Sequence, residues 1–344
     1  MCKGERIMKV TAQWIADQCG VSRGTVDRVV NGRPNVAPEV RERVQKMINE
    51  YGYKTPSQRQ TARAGRAAYR IGVILPSWEA FFIRRMREGI RVAVHNRGLN
   101  DVTVLVEELK NRSHRSYFEG LEERGIDGLI LTAPDTLAMS EEIDRLVQAG
   151  IPVVTCDSDV YQSRRLYHIG QDMVKSGRVA AGLLAPYVAD GEVLVVTGNR
   201  EFTAHGLRVR GFLDRLHEIF DGSVNAQVIE SVEQYDLTYD SVLQQVRHNP
   251  RLRGIYMANE SVRGCMDALD RAKPSRSIHV VCHDLTPYAR QYLENGKLDF
   301  IIDQDFSAQT TRAIEVLAHA LRTGEPPQRS IEYIHTSIIT RELL

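Results

Sequence analysis

At 344 residues the chain is too long for one compact core, which rarely grows past ~250–300 residues. A content of 42% apolar and 26% charged residues excludes disorder, collagen and coiled coil, and no apolar run approaches the ~18 residues of a membrane span. The formal net charge of +1 hides an asymmetry: residues 1–66 hold 13 of the 45 Lys/Arg and 6 of the 44 Asp/Glu, a net of +7 against −6 for the remainder. A basic head on an acidic body points to a polyanionic partner, because Lys and Arg neutralise phosphates; a solvated basic face is the plainer alternative.

The charged start, Met1 to Arg6, has no apolar stretch behind it, so no secretory signal is expected. Five scattered cysteines (2, 19, 156, 265, 282) form no C-x-x-C pair and suit reduced thiols in a cytoplasm. Three helices are predicted in the head. Thr11 caps the first, which carries Trp14, Ile15, Ala16 and Cys19 and stops at Gly20. Ser22 caps the second, which runs to about Val30 before Asn31-Gly32. Pro38 opens the third, whose Val40, Val44, Met47, Ile48 and Tyr51 form one apolar stripe. Residues 54–70 lack such a stripe and read as a basic linker.

From Ile71 onward, short apolar runs alternate with helical stretches. Strands are predicted at 71–75, 102–107, 128–132, 152–156, 193–197, 226–230, 254–258, 278–282 and 300–303, and helices at segments such as 81–97, 140–149, 203–220 and 306–322. Continuous Val/Ile/Leu strands between helices imply parallel sheets covered on both faces. Nine or so strands suit two doubly wound halves, whose ligands collect outside the carboxyl ends of strands.

The second helix carries the sharpest pattern. Arg23, Gly24, Asp27 and Arg28 share one face, while Thr25, Val26 and Val29 share the other. With Ile15-Ala16 and the Gly20-Val21 turn before it, this is a helix-turn-helix, and an Arg entering a major groove can bond guanine bidentately. The runs Val10–Ala16, Gly20–Gly32 and Val36–Val44 closely resemble the headpiece of the lac repressor family, and the rest of the chain is similar to that family's periplasmic-binding-protein-like sensor. The resemblance implies a small all-α headpiece (1–54), a hinge (55–70) and an α/β sensor (71–344) of two doubly wound parallel-sheet subdomains. These would hold about 71–172 plus 306–325, and 173–305 plus 326–344.

By position, the resemblance implies base reading by Arg23, Gly24 and Arg28, backbone-phosphate contacts by Ser22 and Thr25, and closure of the recognition helix by Asn31; Thr11 belongs to the same DNA-binding set. Asp27 departs from the family's usual Ser and can accept from a cytosine amine. Where the family places a wedging Leu, residues 59–64 read Arg-Gln-Thr-Ala-Arg-Ala, so Arg59 and Arg63 are expected in the minor groove in place of an apolar wedge.

Enzyme signatures do not fit this pattern. Gly20-Val21-Ser22-Arg23-Gly24 spells G-x-S-x-G, but a nucleophile elbow needs a preceding strand, and here a helix is predicted. Phosphate-loop, dinucleotide and H-E-x-x-H strings are missing. In the run 279–284 the histidines and Cys282 alternate faces, so a buried strand with Asp284 at its end is preferred to a metal site. After the first strand come Ser77, Trp78, Phe81 and Phe82, whose aromatic faces suit the C–H faces of a sugar ring, with core packing as the alternative for the phenylalanines. Asp157, Asn259, Asp284 and Gln304 stand at strand ends, and Arg208 stands where similar sensors grip their effector. Any one could merely cap a helix; together they suit a hydroxyl-rich ligand.

The resulting expectation is a cytoplasmic, homodimeric regulator, a repressor of carbohydrate genes. Its partners are double-stranded operator DNA and a sugar-like effector, with no cofactor, metal, membrane or enzymatic turnover. Two alternatives stay open: a solute-binding or carbohydrate-processing protein whose basic head is incidental, and a regulator with a nucleobase effector.

Overall fold

The computed structural model describes residues 11–51, 53, 68–76, 81–96, 98–109 and 114–344. Arg59, Arg63, Ser77 and Trp78, assigned above to DNA or effector, lie outside the described residues. The chain divides into two compact units, one built on the N-terminal helices and one holding most residues from Arg66 onward.

The first unit is a three-helix cluster. Helix α1 (Ala12–Cys19) starts where Thr11 Oγ1 accepts the Trp14 N–H at 3.0 Å. It ends at Gly20, whose φ of 62° lets its N–H reach back to the carbonyls of Ala16 and Asp17. Helix α2 (Arg23–Val30) is capped by Ser22 Oγ, 3.2 Å from the Thr25 N–H. Helix α3 (Pro38–Glu50) has its proline in the first turn, where a missing N–H costs nothing. Ile15, Ala16, Val26, Val29, Val44 and Ile48 from all three helices form the buried centre, and the Trp14 ring meets Tyr51 edge-on at 5.0 Å. The G-x-S-x-G string thus runs from the C-cap of α1 into the first turn of α2, and among the described residues a helix, not a strand, precedes it.

The second unit is two α/β lobes. In the first, strands β1 (Tyr69–Pro76), β2 (Val102–Leu109), β3 (Gly128–Leu131), β4 (Val153–Cys156), β5 (Tyr167–Gln171) and β11 (Ile331–Ile334) form a sheet of order β11-β5-β4-β3-β1-β2, parallel throughout. Helices α4 (Phe81–Asn96) and α12 (Phe306–Thr323) cover one face, and α5 (His114–Glu123) and α6 (Leu137–Gln148) the other. In the second lobe, β6 (Glu192–Thr197), β7 (Asn225–Glu230), β8 (Leu252–Met257), β9 (His279–His283), β10 (Phe300–Gln304) and β12 (Thr336–Ile339) take the order β12-β10-β9-β8-β6-β7. Only β12 runs antiparallel there. Helices α7 (Met173–Val188) and α8 (Thr203–Phe220) lie on one side, and α9 (Tyr235–His248), α10 (Val262–Ala272) and α11 (Pro287–Glu294) on the other. Apolar strands buried on both faces read as continuous Val/Ile/Leu, the pattern of the sequence.

One boundary is corrected. The expectation placed 326–344 wholly in the second lobe, yet β11 pairs with β5 in the first, Ile331 opposite His168 and Ile334 opposite Gln171. The chain therefore changes lobes three times, after β5, after β10 and between β11 and β12. Neither terminal strand carries a continuous apolar run, because each adds to a sheet edge where burial is only partial.

Helices α7 and α8 cross with backbones in near contact. A Cβ added at Gly177 would meet the Arg208 carbonyl oxygen at 2.0 Å, and one at Gly211 would meet that of Val174 at 2.0 Å. Because both obstacles are backbone, the helices must part to admit a methyl group. Gly177→Ala or Gly211→Ala is expected to lower stability by about 1–3 kcal/mol, the usual cost of overpacking; denaturant unfolding of each variant beside the parent checks this.

Candidate functional site

Two surfaces hold the residues singled out in the sequence. On α2, Arg23, Gly24, Asp27 and Arg28 are exposed, whereas Val26 and Val29 are buried against α1 and α3. The Thr11 hydroxyl is engaged with the Trp14 N–H. Ser22 Oγ and Thr25 Oγ1 are 2.9 Å apart, and the Asn31 amide donates to the Asp27 carbonyl at 2.8 Å, closing the helix. Hydroxyls and amide thus hold the shape of a short helix whose outer face carries two guanidinium groups beside a carboxylate.

The second surface is a cavity between the lobes. Strand ends supply its wall: Asp157 follows β4, Asn259 comes just after β8, Asp284 follows β9 and Gln304 ends β10, while Arg208 projects from α8. Phe82 also lines it, its ring 5.5 Å from that of Phe306. Phe81 is not among the lining residues; its ring lies under the Arg84 guanidinium at 5.9 Å. Six of the sequence-selected residues therefore converge on one cavity.

Arg208 is 3% exposed. One of its nitrogens, Nη1, donates to the Ala258 carbonyl at 3.3 Å, while Nε and Nη2 are buried without a partner. Asp157 Oδ1 is likewise unanswered. The Gln304 amide donates to Asp284 Oδ1 at 3.2 Å and accepts from Gln309 at 2.9 Å, and the Asn259 amide donates to Ser231 Oγ at 3.0 Å. The unsatisfied atoms are the ones a bound molecule would complete, since buried polar groups otherwise find partners.

Sequence reasoning missed several lining groups. Glu233, in the loop after β7, has its Oε1 3.2 Å from His205 Nε2. Glu260, next to Asn259, accepts the backbone N–H groups of Phe81 and Phe82 at 3.1 Å each, capping the start of α4 from the opposite lobe. Further bonds join the lobes: the Asp159 N–H donates to Thr203 Oγ1 at 2.8 Å, and the Asp135 N–H to the Glu201 carbonyl at 2.8 Å. The lobes are closed on each other around the cavity. Weighing the loop after every predicted strand, 226–230 included, would have drawn attention to Glu233.

Burial dominates the electrostatics. It raises Asp157 to about 6, with Arg208 opposing, and Glu233 to about 7, with Glu260 adding to the rise. It raises Asp284 to about 8 against the pull of Arg208, and Glu260 upward as well. His205 falls to about 3 through burial and the nearby Arg208. Asp157, Glu233 and Asp284 also share left-handed backbone, with φ of 65°, 58° and 69°. Such conformations collect at binding sites, where surrounding structure holds them in place. Among the described residues no group of His, Cys, Asp or Glu is arranged to hold a metal ion, and no helix is long and apolar enough to cross a membrane. Four described cysteines (19, 156, 265, 282) are free and buried.

A two-lobed α/β body closed over a polar cavity, with a helix-turn-helix unit ahead of it, defines a ligand-sensing protein with a DNA-binding head. Comparison with known proteins agrees. Residues 71–326 match the model of the periplasmic binding protein domain, and residues 11–56 that of the bacterial regulatory proteins of the lacI family. The chain is 24% identical over 272 residues to the ribose import binding protein RbsB of Bacillus subtilis, covering 76% of this chain and 85% of that one. It is 25% identical over 240 residues to catabolite control protein A of Priestia megaterium, covering 70% and 69%. A solved glucose-galactose binding protein of Geobacillus stearothermophilus superposes with a TM-score of 0.72 at 19% identity, over 80% of this chain and 99% of that one. The chain belongs to the lacI-type transcriptional regulators, with a sensor of the periplasmic binding protein domain family.

The buried carboxyls make stability depend on pH. Above about pH 7 the buried histidines are neutral in the folded chain and mostly so in the unfolded one, whose imidazoles titrate near 6.5, whereas Asp284 and part of Glu233 still hold protons in the folded chain that the unfolded chain has lost. The folded state binds more protons in this range, so stability falls as pH rises from about 7 to about 8. Melting temperatures across that range should decline, and Asp284→Asn should flatten the slope.

Proposed function

We propose that the chain represses genes of carbohydrate metabolism as a cytoplasmic homodimer whose grip on operator DNA is set by a sugar-like effector in the interlobe cavity. The carrying observation is the cavity: a buried Arg208 with two unpartnered nitrogens, facing Asp157, Asn259, Asp284 and Gln304 from both lobes. Carboxylates accept from hydroxyls, Arg208 donates in a fork, and the two amides do both. Phe82, Phe202 and Phe306 supply apolar faces for ring C–H groups. The relatives support the same class of ligand, since their names concern ribose import, catabolite control and glucose-galactose binding. We read the site as binding without turnover.

In this reading Arg23, Gly24, Asp27 and Arg28 face base edges, Thr11, Ser22, Thr25 and Asn31 hold the helix against the phosphate backbone, and Arg59 and Arg63 enter the minor groove. One eight-residue helix touches too few bases for genomic specificity, which is why two copies on a near-palindromic site are proposed. Effector and operator affinities are then linked reciprocally.

A thermal-shift screen against pentoses, hexoses and polyols tests the effector; a rise in melting temperature supports the reading. Binding of a purine or amino acid with no response to carbohydrates would refute it. For the head, Arg28→Ala is expected to weaken specific operator binding by about 1–3 kcal/mol, roughly 5- to 150-fold, with less effect on random DNA. Gel-shift titrations at fixed salt with random-sequence competitor measure both.

A further inference from the structure

The interlobe cavity holds more carboxyls than cations, a surplus that a neutral sugar can only leave protonated. Asp157 enters from the first lobe, and Glu233, Glu260 and Asp284 enter from the second. Among the described lining residues Arg208 is the only cation, since burial and Arg208 itself keep His205 neutral. Nearby charges do not correct the excess. Arg84 lies exposed on α4, Arg85 is paired with Glu88 at 2.8 Å, and Asp303 beside Asp284 adds a further carboxyl. The Glu260 carboxylate is answered by the two N–H groups at the start of α4. Asp157, Glu233 and Asp284 remain against one guanidinium.

Burying charge without a partner is costly, and a closed cavity lacks the water that would screen it. Two of the three carboxyls must then stay protonated or meet positive charge from the ligand. Each is pushed toward the protonated form by burial, as expected of acids awaiting a counter-charge. Glu233 is built into place: a Cβ at Gly198 would lie 1.9 Å from its Oε1 and 2.6 Å from His205 Nε2, so the bare glycine lets both side chains lie over the end of β6. Asp157 Oδ1 is buried with no partner, an acceptor left open.

Resting on the reading that the cavity takes a hydroxylated ring, we propose that the effector carries a protonated amine, as in an amino sugar or aminocyclitol. Its ammonium group takes up the carboxylates that Arg208 leaves uncompensated. Its hydroxyls bond Arg208, Asn259 and Gln304. The same imbalance rejects phosphorylated and carboxylated sugars, whose anion gains one guanidinium and meets three carboxyls.

The test is calorimetric titration of the full-length protein with matched sets: glucose, glucosamine and glucose 6-phosphate, then galactose, galactosamine and galactose 1-phosphate, then myo-inositol with an amino-inositol. The proposal expects at least one amine to bind at least tenfold tighter than its neutral parent, with the phosphates failing to bind. In Glu233→Gln that preference should shrink about tenfold, the amine losing more affinity than its neutral parent, in a variant whose cooperative melt shows that it is folded. Neutral sugars binding as tightly as their amines, or a preference unchanged in Glu233→Gln, would overturn the proposal and leave the carbohydrate reading intact. Failure of every set, with binding of an unrelated molecule, would overturn both.

Discussion

A guanidinium buried to 3% exposure with two unanswered nitrogens is the feature around which the larger unit is organised. Desolvating such a group costs several kcal/mol unless charge and hydrogen bonds return it. The two sheets supply the return. Parallel topology aims the carboxyl ends of β4, β8, β9 and β10 at one gap, so residues far apart in sequence surround Arg208. The close crossing of α7 and α8 at Gly177 and Gly211 sets how near the guanidinium stands to that gap. Site and fold thus depend on the same two helices.

Three changes of lobe make closure a collective event. Asp172 caps α7 just after the first crossing, its Oδ1 3.0 Å from the Lys175 N–H, and Asp305 caps α12 after the second, 2.8 Å from the Ala308 N–H. At both crossings strand and helix are separated by a single residue, so a hinge between the lobes would fall on these short connections. The Glu260 cap on α4 and the Asp159–Thr203 bond exist only when the lobes are together. A molecule that completes Arg208 and Asp157 adds to that side of the balance, which is how binding shifts a population.

Much of the fold was legible because apolar runs and helical stripes report burial directly. All nine predicted strands have counterparts, and the three head helices start at Thr11, Ser22 and Pro38 through the capping chemistry read from the sequence. Strand β5 was not legible: Tyr-His-Ile-Gly-Gln has no apolar run, and its His168 is buried because Thr155 Oγ1 meets its ring nitrogen at 3.0 Å. Strands β11 and β12 were hidden for a different reason, since edge strands need only partial burial. Within the site, Asp157, Asn259, Asp284 and Gln304 were found by their place after apolar runs. Glu260 and His205 were not, because capping a helix in the other lobe and packing over a glycine are tertiary facts with no local pattern.

The central claim is that Arg208 grips the effector and that the cavity is the sensing site. Titration calorimetry with the tightest carbohydrate ligand, on the parent and on Arg208→Lys, tests it most directly. Lysine keeps the charge but loses the planar fork of donors. A tenfold or greater loss of affinity is expected in a variant that still unfolds cooperatively. Equal affinity in the two proteins would contradict it.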